Sequence, residues 1–205
     1  MKNLKNLIVS LFLIAISFSL NAQSVFENFN EYTDTTDLKK EWTGFGVALN
    51  KEIYLTPTGG TAASQAAIYV GNWNNGGFFG ALHRIENKNL TSANSLTVAA
   101  SVETNRFVNE QPTVPSKFRL SIEGSNGDIW ESRVSLEITE SLLTTYSFQI
   151  SESEMAKLVN KTDSGTLLDT LASVSSVRFI FVNPGNSGVQ DFILDDIMLL
   201  PLADD

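Results

Sequence analysis

The sequence predicts an all-β sandwich of two antiparallel sheets. Three observations predict it. Apolar and polar residues alternate with a period of two along several stretches, most cleanly Ser95 to Glu103. Turn-forming clusters interrupt those stretches at short intervals, among them Thr56-Pro57-Thr58-Gly59-Gly60 and Asn183-Pro184-Gly185-Asn186-Ser187-Gly188. Helical spacing, by contrast, is found in one short stretch, Ser151 to Asn160. About ten strands and one short helix in a chain of 205 residues suit such a sandwich.

In chain order, the first strand falls on Val25 to Phe29, with Glu27 inside it, and Thr33 to Asp37 follows as a polar turn. Leu38 to Asn50 carries Trp42, Phe45, Val47 and Leu49 and reads as strand from Phe45, where Gly44 and Gly46 permit a bend. Ala66 to Val70 is a short strand, and Gly71-Asn72-Trp73-Asn74-Asn75-Gly76-Gly77 is dense in turn residues. Strand resumes from Phe78 to Ile85. In Ser95 to Glu103, Leu96, Val98, Ala100 and Val102 share one face and Ser95, Thr97, Ala99 and Ser101 the other, the signature of a half-buried strand. Asn105 to Ser116, with Pro112 and Pro115, is a long polar connection.

Lys117 to Glu123 and Asp128 to Ile138 form a hairpin. Phe118, Leu120 and Ile122 point one way, as do Trp130, Val134, Leu136 and Ile138. Both apolar faces coincide only if paired positions sum to an even number, which a three-residue loop Ser125-Asn126-Gly127 with a left-handed Gly127 achieves. That register sets Arg119 opposite Arg133 and leaves Asp128 in a solvated turn. Tyr146, Phe148 and Ile150 make a further strand. Ser151 and Glu154 then resemble a capping box ahead of Met155, Leu158 and Val159, so a helix is expected there. Val177 to Val182 is apolar on both faces. So is Asp191 to Leu199, with Phe192, Leu194 and Met198 on one side and Ile193, Ile197 and Leu199 on the other, so this last strand must be central.

Met1 to Ala22 reads as a secretory leader: Lys2 and Lys5 precede an apolar core from Leu7 to Leu20, and cleavage is expected near Ala22. Residues 23–205 then form one β-sandwich domain, secreted or periplasmic. Loss of the two lysines takes the formal charge from −9 to −11, unfavourable for nucleic acid or an anionic membrane. Apart from that short core, no stretch approaches the roughly 20 apolar residues of a membrane span. There is no cysteine and one histidine, His83, which excludes disulfides and multi-histidine metal sites.

The strand Phe26-Glu27-Asn28-Phe29, the strand Val177-Arg178-Phe179-Ile180-Phe181 and the closing Phe192-Ile193-Leu194-Asp195-Asp196-Ile197 together resemble the jelly-roll carbohydrate-binding modules of secreted bacterial proteins, in the galactose-binding-like group. The resemblance implies a jelly roll with neighbouring first and last strands and a structural calcium ion held by Glu27, Asp195 and Asp196. Calcium takes six to eight oxygens, and carboxylates from both ends of the chain would tie the termini. The alternative is that these acids are solvated at strand ends. Together with the leader and the strand pattern, this leads us to expect a secreted, non-catalytic carbohydrate-binding protein, a monomer whose partner is a polysaccharide or other glycan.

Two surfaces offer the aromatic faces and planar polar groups that sugars require. One is Trp73 with Phe78, where Trp73 either meets a ligand or folds back on the core. The other is the polar face of the hairpin, where Arg119 and Arg133 are offset either by Glu131 or by an external ligand. Two other classes remain open: a glycosidase or lyase working with paired carboxylates, and a structural or adhesion protein without a small ligand. The acidic residues are scattered, and nothing singles out a catalytic acid and base.

Overall fold

The computed structural model describes residues 24–46, 50–73, 78–107, 116–138, 142–159, 165–182 and 188–201, with the backbone alone at 50–51, 72–73, 103–107, 116, 159 and 188–190. The expected leader over 1–22, residues 74–77 of the Gly71–Gly77 turn, residues 183–187 of the Asn183–Gly188 turn and residues 108–115 of the Asn105–Ser116 connection lie outside the described residues. No described helix is long and apolar enough to cross a membrane.

Thirteen described strands form two antiparallel sheets. Sheet I contains β1 (Ser24–Glu27), β3 (Asn50–Thr56), β4 (Ala66–Trp73), β6 (Ala93–Phe107), β10 (Thr144–Gln149) and β13 (Gly188–Pro201), in the order β10-β6-β13-β4-β3. β13 is central. One edge pairs with β6 along its length, and the other pairs first with β4 over 188–194 and then with β1 over 197–199. Sheet II contains β2 (Trp42–Gly46), β5 (Phe78–Lys88), β7 (Ser116–Gly124), β8 (Ile129–Ser132), β9 (Leu136–Ile138), β11 (Met155–Val159) and β12 (Val174–Val182), in the order β11-β8-β7-β12-β5-β2, with β9 also on β7.

The sheets meet through aromatic rings. Phe181 of β12 stacks on Phe192 of β13 at 3.9 Å between centroids, Phe79 of β5 lies 5.5 Å from Phe192, and Phe118 of β7 lies 5.1 Å from Phe148 of β10. These side chains are fully or almost fully buried, as a two-layer fold requires.

Several expectations are corrected. Asp191 to Leu199 does not alternate simply, because a bulge between Asp195 and Met198, with Asp196 at φ 42°, inserts an extra residue. Ile197 and Leu199 therefore join Phe192 and Leu194 in the core. The helix expected over Ser151 to Asn160 is a single turn: the Met155 amide donates to Ser151 O at 2.9 Å, and the chain then enters β11. Pairing with β8 buries Met155 and leaves Leu158 exposed, so the free edge of sheet II overrides local helical spacing. The described α-helices are α1 (Thr35–Glu41), capped by Asp34 where a polar turn was expected, and α2 (Leu167–Leu171), capped by Thr166.

The hairpin register is the expected one. Ser121 faces Glu131, Ile122 faces Trp130, and Gly127 has φ 82°. Pairing then stops. Residues 133–135 leave the ladder before Leu136 resumes it opposite Phe118, so Arg119 is paired with neither Arg133 nor Ser135 across this edge, and Val134 is exposed. Asp128 is not solvated either: it is buried, with Lys157 Nζ at 3.0 Å.

Candidate functional site

The outer face of sheet II carries an aromatic and guanidinium surface. Inward positions of β5, β12 and β7 are Phe79, Ala81 and His83, Val177, Phe179 and Phe181, and Phe118, Leu120 and Ile122, all buried. Their neighbours along each strand must face outward. Register aligns the outward residues in rows: Phe45 beside Gly80, Ile180 and Arg119 in one, and Thr43 beside Leu82, Arg178, Ser121 and Glu131 in the next.

Gly80 makes room for a ring. A Cβ there would stand 2.6 Å from Phe45 Cε1, so the glycine lets Phe45 lie across the strand. Phe78 is 39% exposed, 6.1 Å from Phe45 between centroids, and the Arg178 guanidinium carbon lies 5.8 Å from the Phe45 centroid. Arg178 is ion-paired with Glu123, whose other donor is the Ser176 hydroxyl at 3.0 Å. Arg119 donates from Nη1 to Glu131 at 2.7 Å and from Nε to Ser135 Oγ at 2.6 Å. Glu131 is thus the internal partner that the sequence offered for Arg119. Arg133 is exposed off the ladder, where its backbone amide donates to Glu154 O at 2.8 Å. Trp73 ends β4 opposite Gly188, and its side chain lies outside the described residues.

Of the residues the sequence offered as ligand-binding candidates, Phe78 and Arg119 lie on this face; Phe45, Arg178 and Glu123, which also lie on it, were not among them. The available signal was Gly80 within an aromatic strand, a mark of close approach from elsewhere.

The three acids expected to share an ion have separate surroundings. Glu27 is buried, accepting from the Phe29 amide at 2.7 Å, the Tyr32 hydroxyl at 2.8 Å and Trp42 Nε1 at 3.2 Å. Asp195 sits where the neighbour of β13 changes from β4 to β1. Its Oδ2 accepts from the Thr61 amide at 2.7 Å and Ser64 Oγ at 3.2 Å, while its buried Oδ1 meets no donor. Burial pushes this carboxyl above the usual range, against the opposing pull of the Thr61 and Asp196 amides. Asp196 is half-buried on the bulge. Among the described residues, the ligand-type groups that do come within 4.8 Å of one another as a set of three are Glu27, Glu41 and His83.

No protein-family model matches the sequence, and no curated protein does. Solved structures match the fold. The family 11 carbohydrate-binding module of a cellulosomal cellulase of Clostridium thermocellum superposes with a TM-score of 0.61 at 11% identity, over 90% of this chain and 97% of that one. The family 11 module from the same organism in complex with a β-1,3-1,4-mixed-linked tetrasaccharide gives 0.61 at 13% identity, over 89% and 98%. The CBM22-1 and GH10 modules of Clostridium thermocellum endo-1,4-β-D-xylanase 10B, complexed with xylohexaose, give 0.53 at 11% identity, over 88% of this chain and 28% of that one. The architecture is thus a jelly-roll-type β-sandwich of two antiparallel sheets, as the sequence led us to expect, with two short helices in place of one.

Proposed function

We propose that this chain is a non-catalytic carbohydrate-binding β-sandwich whose glycan surface is the outer face of sheet II. The carrying observation is Phe45 laid over Gly80 beside the exposed Phe78, with Arg178 and Arg119 in adjoining rows. Pyranose rings present apolar faces to aromatic side chains and hydroxyls to planar polar groups, and this face offers both. Three of its cations are matched by carboxylates, Lys117 with Glu137, Arg119 with Glu131 and Arg178 with Glu123. Such a surface suits a neutral glycan better than a uronate. The carboxylates Glu123 and Glu131 are held by arginines, which supports binding over hydrolysis. Oligosaccharide complexes among the structural neighbours point the same way.

The test is retention of the mature protein on immobilised polysaccharides. Phe45→Ala and Phe78→Ala should each weaken retention about tenfold, equivalent to about 1.4 kcal/mol of lost stacking, with melting temperature little changed. Trp73→Ala is tested beside them as the second aromatic candidate. Unchanged retention in the Phe45 and Phe78 variants would move the ligand off sheet II. Release of reducing sugar would make the protein a glycan-active enzyme, and a blank glycan panel would leave a structural or adhesion role.

We also infer a calcium ion at Asp195. Support comes from its orphan buried Oδ1, since such an oxygen takes either a proton or a cation. The loop facing it is tightly wound: Ala62 and Ala63 have φ 53° and 62°, and a Cβ on Gly60 would come 2.6 Å from Asp195 Oδ2. Left-handed alanines persist only where their surroundings hold them, and an ion beneath the loop would do so. Glu27, with three donors of its own, contributes less to this reading than the sequence suggested. Export and a monomeric state rest on the leader-like residues 1–22 and on the resemblance.

A further inference from the structure

We propose that Glu27, Glu41 and His83 form a binding site for one divalent transition-metal ion of the zinc type, distinct from the Asp195 position and from the sheet II face. The three come from β1, the end of α1 and β5, and none adjoins another in sequence. Their ligand atoms lie within 4.8 Å of one another. His83 Nε2 is 3.4 Å from Glu41 Oε2, about the edge length of a tetrahedron whose bonds to the metal are about 2.0–2.1 Å.

The protons of this cluster do not suffice. Tyr32 Oη stands 2.8 Å from Glu27 Oε2 and 3.0 Å from Glu41 Oε2, yet it has one proton to donate. The two carboxylates thus share a single phenol proton. The basic residues nearby have other partners: Lys40, which lines the same cavity, stands with its Nζ 2.8 Å from Asp37, and Lys88 Nζ lies 4.5 Å from the centre of the Phe26 ring. His83 is 4% exposed, its Nδ1 has no partner, and its contact with Glu41 is at the long end of hydrogen bonding. The long Nε2 contact leaves that nitrogen able to take a metal ion in place of a proton. A divalent ion bound to Nε2 and the two carboxylates supplies the missing positive charge and leaves Tyr32 to donate to a single acceptor.

Access and rigidity fit. A cavity of about 450 Å³ lined by Glu27, Glu31, Tyr32, Asp37, Glu41 and His83, among others, opens onto the cluster. His83 stacks on Trp42 at 4.4 Å and 8° and meets Phe26 edge-on, which fixes its ring. Glu27 is fixed by the Phe29 amide and Trp42 Nε1. Glu41 is the half-exposed member, free to close on an arriving ion. One nitrogen with carboxylate oxygens selects zinc or cobalt over calcium, which takes six to eight oxygens.

Trp42 provides the readout. The mature protein, stripped with chelator and then held in excess calcium to fill any oxygen-rich site, is titrated with cobalt(II). One equivalent should quench tryptophan fluorescence and develop visible absorption, and zinc should reverse the quenching while further calcium does not. Glu41→Gln, at a half-exposed position, should weaken cobalt binding at least about tenfold with an unchanged circular dichroism spectrum. His83→Gln should abolish it, and if that variant does not fold, Glu41→Gln decides alone. Absence of quenching up to about 1 mM cobalt, far weaker than sites with histidine and carboxylate ligands, overturns the proposal. So does quenching undiminished in Glu41→Gln, which would place the ion elsewhere.

Discussion

Replacing Asp195 by asparagine separates a calcium site from a carboxyl that merely holds a proton. Asparagine keeps the shape and one acceptor for the Thr61 amide, now donating at 2.7 Å, and sets its NH2 where Oδ1 stands without a donor. In chelator the sign follows from the raised carboxyl. The folded state holds the proton more tightly than the unfolded chain, so the stability Asp195 contributes is full below the ordinary carboxylate range, about 3.9, and is lost as pH rises through the folded value. At neutral pH without calcium, Asp195→Asn should therefore be neutral or stabilising. With calcium the order reverses. An ion at about 100 times its dissociation constant adds about 2.7 kcal/mol to the wild type, which at about 2–4 °C per kcal/mol for a domain of this size is about 5–11 °C. Thermal melts at pH 5 and pH 7.5, in chelator and in calcium, measure this directly. The wild type should show the gap, Asp195→Asn should lose it, and Glu154→Gln, an exposed acid, should keep it. A wild type indifferent to calcium, or an equal gap in Asp195→Asn, refutes the reasoning.

Phe192→Ala removes a fully buried ring stacked on Phe181 and close to Phe79, and urea unfolding should show a loss of about 3–5 kcal/mol; a loss below about 1 kcal/mol would mean that the sheets do not meet there. A double-mutant cycle of Arg119→Ala and Glu131→Ala should give a coupling of only about 0.5–1 kcal/mol, because Arg119 is part-exposed, so a larger effect of Arg119→Ala on glycan retention would belong to the ligand and not to the fold.

Local pairing was legible in the sequence, while departures from it were not. The Lys117–Ile138 hairpin could be registered because both strands had to bury one face and Gly127 could turn left-handed. Its early end at Ser132 leaves no comparable trace: Arg133, Val134 and Ser135 continue the alternation perfectly well, and only the arrival of β11 and β9 lifts them from the ladder. The Asp195 bulge is similar. Asp195-Asp196 sits in an apolar run whose parity looks unbroken, and the extra residue shows only when the register against β6 is counted. Ser151 to Asn160 failed for the opposite reason, because a true local signal, one capped turn, is outweighed by an unfilled sheet edge. Asp34 and Asp37 did mark the start of α1, but that helix is short and buries only Leu38, so its apolar periodicity is faint. On the candidate surface, Phe78 and Arg119 stood out within their own strands, whereas Phe45 and Arg178 become neighbours through the pairing of β2, β5 and β12.

The surroundings of Asp195 and of Arg119 share a structural cause. In each sheet a long strand changes neighbour partway along one edge: β13 passes from β4 to β1 around residues 195–196, and β7 from β8 to β9 around residues 119–120. A ladder interrupted in this way leaves backbone groups to be paired from elsewhere. Side chains and loops enter at these breaks. The Leu120 amide donates to Ser132 Oγ at 3.2 Å, Arg119 donates to Ser135 and Glu131, and Asp195 accepts from the Thr61 amide. A break therefore admits charged side chains among strands that otherwise bury apolar ones, and it does so without a contiguous sequence motif. Glu27, Glu41 and His83 obey the same logic at the end of β1, where the chain leaves sheet I beside β13 and turns toward α1. The surroundings of Asp195, Arg119 and Glu27 thus lie at the ends of pairing, where the polar contacts of these residues depend on which strand stops beside them.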